Sequence, residues 1–293
     1  MRRFFQALPV LLLCLACNNG IASATATDPA AVESLMVMRV EGTLVVAPDG
    51  SVSKYEIGTA VDPGLRALLD RQVAAWRFEP VLVDGKAVFA DTRWRATLAG
   101  VKEGGELAVH VDSVLFLPTG EATTPFPQSG AIDAQARRMN PPAYPREQMK
   151  MRLNARVMLA LQFNPDGTVA QVAPMQSMLF DVRDNPKAMA KNLHMFELAT
   201  VEAAKKWHAD TTKGPLSGAA LSTYTTVDFL TGEAGGKPPK ELEVAGSWHQ
   251  VGRLKHASQP WLDAKGARPG PTDIDPSDLV PLAGAVRLLT PLN

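Results

Sequence analysis

At 293 residues, with 46% hydrophobic, 20% charged and 6% aromatic residues, the chain has material for two ordinary globular domains. Thirty basic residues balance thirty acidic ones, and no long basic run supplies the field that attracts a polyanion, which excludes nucleic acid as the expected partner. Gly 22 and Pro 23 punctuate the chain too often for a continuously helical fold.

The opening MRRFFQALPVLLLCLACNNGIASATATD places Arg2 and Arg3 before an apolar stretch from Ala7 to Cys17. Small residues follow, with cleavage sites at Ala22-Ser23-Ala24 or Ala24-Thr25-Ala26. This pattern predicts a signal peptide over residues 1–26 and an exported, periplasmic protein. Both cysteines, Cys14 and Cys17, lie inside the leader, so the processed chain has neither a disulfide nor a thiol nucleophile. Leu15-Ala16-Cys17 offers an alternative, a lipoprotein site at which Cys17 is lipidated and attached to the cell envelope. Membrane association is expected only with that lipid or with a retained leader. Removing residues 1–24 takes away two arginines and no acids, leaving 28 basic residues against 30 acidic ones, or −2.

Residues Gly42 to Ala47 and Ser51 to Ile57 flank Asp49-Gly50, the pattern of two strands joined by a tight turn. Asp62 is positioned to cap a helix with Pro63 at its first turn. Leu65, Leu68, Leu69, Val73 and Trp76 recur at helical spacing, and Phe78-Glu79-Pro80 ends the helix. After Asp84-Gly85, Ala87 to Leu98 predicts a third strand with Phe89 and Trp94 as anchors, and Leu107 to Leu117 a fourth at the edge.

The second half repeats this order. Arg156 to Phe163, Pro165-Asp166-Gly167 and Thr168 to Val172 predict a hairpin. A helix carrying Phe196, Ala199, Ala203 and Trp207 follows, then a final strand from Ala220 to Leu230. The Asp-Gly pairs lie 117 positions apart and the tryptophans Trp76 and Trp207 lie 131 apart, which puts about 14 extra residues within Met178 to His194. The expected fold class is α+β: two repeated units, each an antiparallel three-stranded sheet packed against a helix, with an irregular C-terminal tail. The units span 36–118 and 141–231, joined by a linker over 119–140 and followed by a Pro/Gly-rich tail over 232–293, for which short strands or a path across the second unit are the expected forms of order.

The motifs of both halves resemble the C-terminal domain of TonB-type energy transducers. Pro141-Pro142-Ala143-Tyr144-Pro145 is similar to the family's entry motif, Asp166-Gly167 to its hairpin turn, and Val201-Glu202-Ala203-Ala204-Lys205-Lys206-Trp207 to its last helix. In the first half, Ala74-Ala75-Trp76-Arg77-Phe78-Glu79-Pro80 and Asp84-Gly85-Lys86 resemble the helix-ending signature and the turn after it. The resemblance implies a periplasmic unit that grips an envelope protein or an extended peptide by edge-strand pairing. Departures are a cleavable leader, no long proline-rich spacer, and His208-Ala209 where Phe-x-Pro is expected.

Chemistry-bearing motifs are sparse. His110, His194, His208, His249 and His256 form no HExxH run and no close ligand cluster, and there is no GxSxG elbow or P-loop. Gly42, Gly50 and Gly58 read as turn or bulge positions, and Asp181 with Asp184 as a solvated loop pair. No catalytic residue, cofactor or metal is assigned. The expectation is a non-enzymatic binding or accessory scaffold related to TonB-dependent envelope transport, with homo-oligomerisation left open. The alternatives are a membrane-anchored transducer and an envelope hydrolase whose site forms in the tail from His249, His256 and Asp263. Ala220 to Leu230 is the predicted strand for peptide addition.

Overall fold

The computed structural model describes residues 32–103, 106–118, 139–180, 184–211, 221–231, 245–263, 280–281 and 286–292. The leader, most of the linker and parts of the tail lie outside them. The described chain is α+β and mostly antiparallel.

The first hairpin pairs β1 (Glu33–Val46) with β2 (Val52–Ile57). Asp49 accepts from the backbone N–H and hydroxyl of Ser51, and Gly50 takes φ +80°. A Cβ on Gly50 would sit 2.1 Å from the Phe78 carbonyl oxygen, so glycine is required there twice over. Helix α1 (Pro63–Ala75) starts as expected: the Asp62 carboxylate accepts from the N–H groups of Gly64 and Leu65, and Pro63 occupies the first turn. Its Leu65, Leu69 and Val73 are buried on the sheet.

After α1 comes a small hairpin, β3 (Leu82–Val83) with β4 (Lys86–Ala87). The long strand β5 (Ala90–Glu103) begins only afterwards, and β6 (Glu106–Pro118) pairs with it. The expected start at Ala87 is therefore corrected to Ala90. Trp94 is buried as an anchor, but Phe89 is not: it lies between the hairpin and β5 and is 62% exposed.

In the second half a short helix α2 (Arg146–Lys150) leads into β7 (Asn154–Phe163) and β8 (Val169–Phe180). Helix α3 (Pro186–Ala204) and β9 (Ser222–Phe229) follow. Gly167 takes φ +88°, and a Cβ there would meet the Ala209 carbonyl oxygen at 2.1 Å. The extra residues of this half have a visible destination. Strand β8 has twelve residues against six in β2, and α3 has nineteen against thirteen in α1.

The described tail carries short regular elements between its irregular stretches. It contains β10 (Trp248–Lys255), followed by α4 (Pro260–Asp263) and β11 (Val280–Pro281). Strand β10 lies between β8 and the first half of β1, so two separate three-stranded sheets are not what forms. One nine-stranded antiparallel sheet runs β11-β9-β7-β8-β10-β1-β5-β6, with β2 also on β1.

Both long helices lie on one face of this sheet. On β10, Trp248 packs with the α1 core and Leu254 with the α3 core, and the two share a face by their even spacing. The opposite face carries Leu35, Val37, Ala99, Met178, Phe180 and Val251. There, Leu115 of β6 joins one cluster with Met158 and Ala160 of β7, Tyr224 of β9 and Leu262 of α4. The two ends of the sheet thus pack across that face, which makes the sheet strongly curled.

Candidate functional site

Sheet edges are the first places to look for a partner surface, because an unpaired edge presents backbone donors and acceptors in register. Strand β6 pairs with β5 from Pro118 to Glu106 and has no second strand partner among the described residues. Its sequence, ELAVHVDSVLFLP, contains no lysine or arginine, the side chains that commonly guard an exposed edge. Ala108 and His110 are exposed, whereas Val111 and Leu115 are buried. A register shift near Asp112 interrupts the ladder, as Thr97 faces Ser113 and Leu98 faces Val111. Strand β9, the predicted acceptor, pairs with β7 on one side, and β11 covers Thr223 and Tyr224 on the other. Strand β2 is shorter and carries Lys54 and Glu56.

Strand β10 is held by charge on the curled face. Arg253 is buried and reaches Glu33 at 2.8 Å and Asp112 at 2.9 Å, while Lys255 reaches the same Asp112 oxygen at 2.9 Å. The Asp112 side chain is 5% exposed and projects from the irregular point of β6. A carboxylate from one end of the sheet thereby pins a strand near its middle. Nearby, Arg95 reaches Glu41 at 3.0 Å, and farther along the same face Arg156 forms a two-bond pair with Asp228.

On the helix side, Glu197 of α3 accepts from the Ser177 hydroxyl at 2.5 Å and lies 2.7 Å from His256 Nε2. Both contacts use the same carboxylate oxygen, Oε1, and Ser177 is fully buried. Serine, acid and histidine are assembled here without the order a nucleophile needs, because the hydroxyl is engaged with the carboxylate rather than with the imidazole. The cluster fastens the end of β10 to α3.

The five histidines are dispersed. His249 lies opposite Val37, on the sheet face that carries Val251 and Arg253, whereas His256 turns to α3 on the other face. The convergence of these two considered for a tail site does not form. His194 and His208 are exposed, and His208 bridges to Thr168. His110 stands 4.0 Å from Asp112. No group of three or more His, Cys, Asp or Glu side chains suited to a metal ion occurs among the described residues. Asp184 is exposed, while its expected neighbour Asp181 lies outside those residues. A shallow depression of about 380 Å³ is lined by Tyr144, Met149, Arg152, Leu230 and Thr231 and brings together no acid–base pair.

Two turn carboxylates titrate abnormally. The Ser51 hydroxyl and N–H hold Asp49 below the usual carboxylate range, and the Thr168 hydroxyl and N–H do the same for Asp166. A depressed folded pKa favours the folded state above the ordinary aspartate range, and that contribution is lost as pH falls through the folded value. NMR titration should show both carboxyls ionising below a normal aspartate. Ser51→Ala should raise Asp49 alone and Thr168→Ala should raise Asp166 alone. Burial pushes the Tyr144 and Tyr224 phenols up to about 12.

No helix among the described residues is long and apolar enough to cross a membrane. Comparisons of the chain with protein-family models, with curated proteins and with solved structures return no match.

The sequence allowed for short strands in the tail but did not place β10 or single out its clasp residues Asp112, Arg253 and Glu197. The one available signal was Val251-Gly252-Arg253-Leu254 inside a Pro/Gly-rich stretch, too short to distinguish a strand from a loop.

Proposed function

We propose that this is a non-enzymatic, exported binding scaffold of the cell envelope, built from two TonB-C-like repeated units and gripping an extended segment of another envelope protein by strand addition. The observation that carries this reading is β6: thirteen residues, paired on one side among the described residues and without a basic guard. Strand addition takes affinity from the backbone and register from alternating side chains, so such an edge needs no catalytic residue to be functional. The repeat is supported by matched details. The order β1–β2–α1–β5 is paralleled by β7–β8–α3–β9, and each turn glycine meets the carbonyl two residues past its tryptophan.

The acceptor edge is therefore assigned to β6 rather than to β9, whose free side is covered at Thr223 and Tyr224. Photocrosslinkers at the exposed positions Ala108 and His110 should recover an envelope protein from intact cells, and the double change Ala108→Lys with His110→Lys should lower that recovery at least about fivefold, because like guards block edge pairing. Undiminished recovery after the double change counts against β6 as the acceptor. Recovery of a second copy of this chain alone would identify the edge as a homo-oligomer contact. The mass of the exported chain tests the leader separately: a start at Thr25 or Thr27 is expected, a lipidated Cys17 marks the lipoprotein form, and a retained leader would favour the anchored transducer.

A further inference from the structure

The segment Val286–Leu292 is bound to the first half of the molecule much as a peptide ligand would be. Leu288 bridges antiparallel to Phe78, the Glu79 N–H donates to the Arg287 carbonyl at 2.9 Å, and the Leu289 N–H donates to the Arg77 carbonyl at 2.7 Å. The Thr290 hydroxyl accepts from the Arg77 N–H at 2.7 Å, and Arg287 reaches Glu79 at 3.3 Å. Val286, Leu288 and Leu292 pack against the core that holds Trp76 and Phe78. On its other side, Arg77 bridges to Ser51. Residues Arg77–Glu79 thus form a short strand edge with an extended segment added to it.

The segment differs from β10 in how deeply it is committed. Val251, Arg253 and Leu254 of β10 are buried, whereas no residue from Val286 to Leu292 is. Beneath the segment, Trp76 and Phe78 are only 0% and 1% exposed and are held by edge-to-face contacts with Trp94 and Phe116. The receptor surface is organised by its own core, and the added segment contributes backbone bonds, half-buried aliphatic side chains and one exposed ion pair. An exposed pair of this kind contributes little stability. That combination is one of recognition with replaceable occupancy.

We propose that Arg77–Glu79 is a docking edge for an extended peptide, occupied in cis by Val286–Leu292, and that a partner segment of the same chemistry exchanges with it. The fitting segment has aliphatic residues at two alternate positions, a cation between them opposite Glu79, and a hydroxyl residue two places after the second aliphatic one, facing the Arg77 N–H. This inference does not rest on the β6 edge, which lies on a different strand and is tested by different substitutions.

The test uses a fluorescent peptide of residues 284–293 added to the full chain. A tethered resident competes at a roughly millimolar effective concentration, so the native chain should bind the peptide weakly. Leu288→Asp in the chain loosens the resident and should tighten peptide binding at least about tenfold, whereas the peptide bearing the same change should not bind. A second chain carries Glu79→Cys and Arg287→Cys, with Cys14→Ser and Cys17→Ser to remove other thiols. Oxidation should lock the resident in place and abolish peptide binding, and reduction should restore it in the same folded sample. Equal binding to the oxidised and reduced forms, or no binding to either the Leu288→Asp chain or the reduced chain, overturns the proposal.

Discussion

Asp112→Ala is expected to lower the stability of the protein by about 3–5 kcal/mol, the loss typical of a buried ion pair deprived of one partner. The side chains of Asp112 and Arg253 are 5% and 6% exposed, and their contact at 2.9 Å is flanked by Lys255 at 2.9 Å from the same oxygen. Without the carboxylate, buried Arg253 retains Glu33, whose side chain is 56% exposed and therefore well screened. The effect should centre on β10. Its neighbours β1 and β8 otherwise belong to the two halves of the molecule, so loosening it should uncouple them, and unfolding should broaden or divide into two transitions in urea.

A companion change separates charge from packing. Arg253→Met combined with Asp112→Ala removes both charges, and the pair should recover much of the loss because no buried guanidinium remains uncompensated. Additive losses in this cycle, or a single-substitution effect below about 1 kcal/mol, would show that water reaches the cluster and that the charges are not what hold β10.

The elements that were legible in the sequence are those fixed by residues close together in the chain. Asp62 with Pro63 announces α1, and Asp49-Gly50 and Asp166-Gly167 announce the hairpins, because capping and positive-φ turns are decided within four residues. Strand β10 could not be recognised that way. Arg253 and Lys255 look like solvated charges until Asp112, 143 positions before Lys255, arrives from β6. Phe89 failed for a related reason: alternation in AVFADTRWRATL does not reveal that Lys86–Ala87 pairs with Leu82–Val83 in a separate hairpin, leaving Phe89 outside β5. The candidate site is less legible still. Whether β6 or β9 keeps a free edge depends on where Val280–Pro281 lies, and the docking edge at Arg77–Glu79 is visible only once Leu288 is placed beside Phe78.

The second large effect is expected at Trp76. This residue is fully buried and makes edge-to-face contacts with Trp94 at 5.7 Å and Phe116 at 5.6 Å. Trp76→Ala should cost about 3–5 kcal/mol through lost transfer energy and the cavity left behind. Trp76→Phe should behave differently. The indole Nε1 of Trp76 is buried without a hydrogen-bond partner, so the smaller ring gives up volume but also removes an unsatisfied donor, and the net cost should be about 1 kcal/mol or less. Trp207 provides the opposite case, since its Nε1 donates to the Asn140 carbonyl at 2.8 Å. Trp207→Phe deletes a made hydrogen bond and should therefore cost about 1 kcal/mol more than Trp76→Phe, measured from denaturation midpoints at constant m-value. Equal costs for the two phenylalanine variants would mean that the Trp76 donor is hydrated. The same series bears on peptide docking, because Trp76→Phe retains an aromatic ring beneath Arg77–Glu79 and should leave the exchange of Val286–Leu292 intact, whereas Trp76→Ala removes the floor on which that edge is built.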